Sequence, residues 1–119
     1  MSQTDVAAPP PADGAAPTSP RSLCLLAVRN LPRMFLPEHR LFCRTLRRVA
    51  GSLRTEGVSR RYTAAVLLGL SRSPSDWRAQ ALAGRGPEEL LDRLGDDIDR
   101  MADPGEVALT LWAARAWNH

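Results

Sequence analysis

The chain has 119 residues, a net charge of +3 and a pI near 9.6, which is room for one compact domain and too little for two. No apolar run approaches the roughly 18 residues that cross a bilayer, and the first twenty residues lack the basic start and apolar stretch of a secretory leader, so a cytoplasmic protein with no membrane partner is expected. Cys24 and Cys43 fit neither a disulfide framework nor a C-x-x-C metal pair, and the expectation for both is a small buried hydrophobe.

Residues 1–20 are rich in Pro and Ala and almost free of large apolar side chains, a composition that cannot offset the entropy of ordering and reads as a disordered tail. A helical domain over 21–119 follows. Ser22 can cap a helix from Leu23 to about Leu31, apolar nearly all round, which Pro32 is expected to end. Residues 37–50 support two readings. As a helix from Pro37 they set Phe42, Leu46, Val49 and Leu53 on one face; as a hairpin, Leu41–Val49 and Leu53–Val58 are strands joined at Ala50-Gly51-Ser52. The pattern leans to the helix, and a small β-hairpin over 41–58 stays open.

Ser59 can cap a helix through Leu70 in which Tyr62, Val66 and Leu70 form one stripe while Ala64 and Leu68 occupy the opposite side, the signature of a helix buried all round. Ser71–Gly86 reads as a connection with a helical turn at Asp76–Leu82. Pro87, Glu88 and Glu89 then open an amphipathic helix with Leu90, Leu91, Leu94, Ile98 and Met101 on one face and Glu89–Arg93 and Asp96–Arg100 as i,i+4 pairs. Asp103-Pro104-Gly105-Glu106 supplies a cap, a first-turn proline and a capping-box acid for a last helix that is again apolar on almost every side. Three helices that want to be surrounded cannot all be surrounded in about 100 residues. Self-association or a missing helical continuation is therefore the expected partner, and the domain reads as incomplete.

The run Glu56-Gly57-Val58-Ser59-Arg60-Arg61-Tyr62-Thr63-Ala64 with Leu67-Leu68-Gly69-Leu70, and the earlier Leu31-Pro32-Arg33-Met34-Phe35 with Leu41-Phe42, resembles the opening of bacterial α/α-toroid proteins, the class of stacked helical hairpins shared by six-hairpin glycosidase-like proteins and terpenoid cyclases and prenyltransferases. The resemblance implies an all-α fold of helical hairpins, a hairpin-like insertion at 41–58, and a chain that supplies the first two helical pairs of a ring. It implies a carbohydrate- or terpenoid-related role, and a protein that is non-catalytic alone because so partial a ring encloses no central cavity.

No cofactor or metal site is expected. His39 and Cys43 share a helix face in the helical reading, but two ligands do not make a zinc site. Asp96, Asp97 and Asp99 do not converge on a helix, and only Asp97 borders the apolar stripe. Glu56, Arg60, Arg61 and Tyr62 stand at a helix start which, in a toroid, faces the cavity mouth; with Asp97 they form the candidate ligand-facing set, against a plainer reading in which Glu56 pairs with an arginine and Tyr62 is core. Charge is segregated, with thirteen Arg against three acids over 21–85 and three Arg against eight acids over 86–119. Two further classes follow: a small helical dimerisation module, and an Arg-rich nucleic-acid module using Arg44, Arg47, Arg48, Arg54, Arg60 and Arg61. Nucleic acid is disfavoured, since a long acidic helix follows that phosphate would repel.

Overall fold

A computed structural model describes residues 19–119; the expected tail falls outside the described residues, apart from Ser19 and Pro20. Five helices and three strands follow in the order α1 (Pro20–Met34), β1 (Phe35–Leu36), β2 (Leu41–Val49), β3 (Ser52–Val58), α2 (Arg60–Ser71), α3 (Ser75–Ala81), α4 (Pro87–Asp96), a 3-10 turn at Ile98–Arg100, and α5 (Pro104–Ala116). The fold is 59% helix and 18% strand. The all-α expectation is thus corrected to a mixed α/β fold, and the correction comes from the segment the sequence left open.

Residues 41–58 form the hairpin. β2 lies between β1 and β3 in an antiparallel sheet, with Phe35 opposite Phe42, Cys43 opposite Val58 and Val49 opposite Ser52. Ala50 and Gly51 close the loop at φ +52° and +83°, the left-handed pair that matches strand twist in a two-residue turn. Ala50 is a poorer residue there than Asn or Asp, which is why the turn is faint in the sequence. The strand's alternation is also masked, because Leu41, Phe42 and Cys43 are all buried where helices cover the sheet base.

α1 begins earlier than expected, with the Ser19 hydroxyl accepting from the Ser22 N–H and Pro20 in the first turn, and it runs through Pro32 to Met34. Pro32 withholds the N–H that the Val28 carbonyl would otherwise receive. The helix continues because Phe35 and Val28 are held in the core. Conversely α4 stops at Asp96, short of the predicted Met101, where Asp97 leaves helical geometry and a 3-10 turn carries the chain on.

The core joins all layers: Phe42, Leu41, Leu67, Leu90 and Leu94 are its largest fully buried side chains, each contributing about 1.5–3 kcal/mol by leaving water. Thr63 fastens sheet to helix. Its Oγ1 accepts from the Phe42 N–H at 2.9 Å and donates to the Ser59 carbonyl at 2.7 Å, while the Ser59 N–H donates to the Phe42 carbonyl. Trp117 plays the matching part for α5, donating its indole N–H to the Leu67 carbonyl at 2.8 Å. The expectation that both cysteines are buried holds for Cys43 alone, since Cys24 is exposed.

Candidate functional site

Two features stand out on this scaffold, one charged and one apolar. The charged one is built around Asp97, a carboxylate only 5% exposed. Leaving the helix at Asp97 turns its side chain inward. Oδ2 there receives Arg93 one turn back on α4 and lies 3.5 Å from Arg60 Nη1 of α2, while Arg100 Nη1 stands 3.6 Å from Oδ1. Burial pushes the Asp97 carboxyl up, but the Arg93 hydrogen bond and the charges of Arg93, Arg60 and Arg100 outweigh it and hold the group below its ordinary value of 3.8. Arg60 also reaches α5, its Nε 2.9 Å from Glu106 Oε1. That approach is a charge contact and not an aligned hydrogen bond, so Glu106 Oε1 is buried with no hydrogen-bond partner.

These groups line a polar cleft of about 300 Å³ floored by Leu41 and Val58 at the base of the hairpin. Two carboxylates and two arginines there largely neutralise one another. The arrangement clamps α2, α4 and α5 together through these charge contacts. Among the described residues no group of three His, Cys, Asp or Glu side chains is placed to hold a metal ion.

The sequence-derived candidates are therefore divided. Arg60 and Asp97 meet in the cluster. Glu56 lies on β3 and pairs across the ribbon with Arg47 at 3.1 Å, so it faces neither Arg60 nor Arg61. Arg61 turns to Asp103, the cap of α5, at 2.6 Å. There Asp103 accepts from the Gly105 N–H and from Arg61, and these hydrogen bonds, the backbone one foremost, lower its pKa. Glu106 does not complete the capping box, because Arg60 draws it away. Tyr62 is neither core nor beside Glu56; it is 44% exposed on the rim of the second feature. The predicted pairs Glu89–Arg93 and Asp96–Arg100 do not form, since both arginines go to Asp97.

That second feature is an apolar trough of about 500 Å³ between α1 and α2. The two helices run in opposite senses: Phe35, just past the end of α1, pairs with Phe42, which bonds Thr63 near the start of α2, while Arg21 at the start of α1 lies over Trp77 beyond the end of α2. Cys24, Ala27 and Leu31 form one wall, and Tyr62, Ala65, Val66 and Gly69 the other. Both sets recur every three or four residues, the spacing of a helix seam. The α2 wall leaves room because Ala65 and Gly69 are small; a Cβ added at Gly69 would meet nothing within 4 Å.

Leu23 and Leu26 are 55% and 44% exposed on the α1 side. Neither helix carries an acid. Arg29 and Arg33 of α1 and Arg72 after α2 are exposed and without an ion-pair partner among the described residues, although none of the three lines the trough. Sequence reasoning noticed that both helices are apolar all round but could not tell that they splay apart. The signal available was the absence of Asp and Glu from both. Comparison of the chain with known protein families, with curated proteins and with solved structures finds no match in any of the three.

Proposed function

We propose that the protein is a non-catalytic docking module that receives an amphipathic helix with acidic flanks in the trough between α1 and α2. The observation that carries this reading is the trough itself: two seam-spaced apolar rows on antiparallel helices, open between them, on two helices that carry arginines and no acid. A third helix laid in such a groove buries its own apolar stripe against both walls. The basic, acid-free character of both helices favours acidic flanking charges, which sets specificity and encounter rate more than raw affinity. A second copy fits less well, because a twofold pairing of these faces brings like-charged helix pairs together.

The polar cleft supports a scaffold role for the charged cluster, since its groups are spent on one another. A cytoplasmic setting belongs to the same proposal and agrees with two free cysteines. The kinship to α/α toroids also stands only as a proposal, now for the helical part of a mixed fold; the hairpin at 41–58 agrees with the insertion that kinship implies.

The test is isothermal titration of the full chain with an 18-residue helical peptide carrying Leu at seam positions and Glu on both flanks. Binding with a one-to-one stoichiometry is expected, with loss of at least tenfold in affinity when Gly69→Leu fills the space along the α2 wall. Equal binding of a Lys-flanked version would remove the charge argument. A stable dimer by sedimentation, whose dissociation accompanies peptide binding, would assign the trough to a second copy.

A further inference from the structure

The hairpin projects beyond what the core needs. Cys43 is buried at its base, yet no residue from Arg44 to Val58 is buried. β3 packs on β2 and on little else. From Val58 to the loop at Gly51 the ribbon extends about 23 Å at the usual rise of a strand. Along it lie Arg44, Arg47, Arg48 and Arg54, opposed by Glu56 alone. Arg47 and Arg54 are direct cross-strand partners, an arrangement that costs stability when like charges face each other.

Protection of two free edges against stray pairing explains some charge on such a ribbon, but alternating signs would serve that purpose without the repulsion. Strand alternation settles how the arginines are distributed: Arg47 and Arg54 share one face, and Arg44 and Arg48 share the other, beside Leu46 and Leu53. Each face thus carries two guanidinium groups.

We propose that this ribbon is a docking element for duplex DNA, entering the major groove tip first with Arg47, Arg48 and Arg54, the arginines nearest the tip, toward its phosphate walls. A two-stranded ribbon with its side chains is about 10 Å thick, and the major groove of B-form DNA is about 12 Å wide and admits such a ribbon. The deep, narrow major groove of an RNA duplex does not. The carboxylates at the ribbon base do not oppose the approach. Asp97 lies at the ribbon base beside Leu41 and Val58, about 23 Å from the tip, whereas exposed charges are screened over about 8 Å at physiological salt. Segregation that looks adverse along the chain is separation in space.

Fluorescence anisotropy of the full chain with a labelled 20-base-pair duplex of mixed sequence tests the proposal. Three phosphate contacts give a log–log salt slope of about −2.7, so affinity should fall about fortyfold between 50 and 200 mM KCl. Arg48→Gln with Arg54→Gln should cut that slope to about a third and weaken binding at least tenfold at 50 mM. Arg47→Lys with Arg54→Lys, which keeps the charges, should retain it, and Arg29→Gln with Arg33→Gln on α1 should change affinity less than twofold. Any of four results overturns the proposal: no duplex binding at 50 mM salt, loss with the Lys pair, equal loss with the α1 pair, or equal or tighter capture of single-stranded DNA or a poly-glutamate peptide.

Discussion

Replacing Asp97 by Asn isolates the charge of the one carboxylate that is buried among the described residues, while keeping its shape. The side chain is 8% exposed and stands within 3.6 Å of three guanidinium groups. At an effective dielectric of about 20, a single pair at such a distance is worth roughly 4–5 kcal/mol before desolvation, and removing one partner of a buried pair costs about 3–5 kcal/mol. Two circumstances reduce that here. Arg100 is 79% exposed and recovers water, and Arg60 keeps Glu106 at 2.9 Å. Arg93 is the group left stranded, so about 2–3 kcal/mol of destabilisation is expected at pH 7.

In a domain of this size that lowers the melting temperature by about 10–20 °C. The pH dependence is the sharper check. Asp97 has its folded pKa below 3.8, so its stabilisation is fully present well above 3.8, begins to fall as pH drops through that value, and is gone below the folded pKa. Urea unfolding followed by circular dichroism at pH 7, 4 and 2.5 should show the gap between wild type and Asp97→Asn closing as the pH falls. A difference under 0.5 kcal/mol at pH 7, far below the estimate of about 2–3, or a gap unchanged across the series, would refute the account of this cluster.

The tie between sheet and helix predicts that Thr63→Val, which fits the same space, costs about 1–3 kcal/mol in urea melts because the buried Phe42 N–H loses its acceptor. Gly69→Ala should instead stabilise by about 0.5–1 kcal/mol in the same assay, since it removes glycine from a helix interior at a point where a Cβ meets nothing within 4 Å. Gly95→Ala on α4 meets open space in the same way; it should gain a similar amount while leaving peptide titration unchanged, which separates helix propensity from filling of the trough. Gly51→Ala should destabilise by about 1 kcal/mol or more, because its φ of +83° is costly for a side chain, and the loss should appear in melts as a weakened hairpin signal.

Helix identities from Ser59 onward were legible because local chemistry is decisive there: Ser59 and Asp103 accept the orphan N–H groups they were expected to cap, and Leu90, Leu91 and Leu94 keep one face. Local pattern could not decide 41–58. Three consecutive buried residues at a sheet base erase the period of two that marks a strand, and an Ala-Gly turn signals weakly. Pro32 looked like a stop because the cost of an interior proline is local, whereas the burial of Val28 and Phe35 that offsets it is tertiary.

The candidate site divides along the same line. Arg60 and Asp97 lie 37 residues apart, and only the packing of α2 against α4 brings them to one cleft. Glu56 and Tyr62 are near neighbours in the chain, yet the ribbon carries Glu56 to Arg47 and the helix turns Tyr62 outward. The sequence by itself determined that α1, α2 and α5 are rich in apolar residues and that positive charge precedes negative. Where the apolar area gathers, between α1 and α2, and how far the tip of the arginine ribbon stands from the carboxylates at its base, are set by the tertiary structure, because distance through space does not follow distance along the chain.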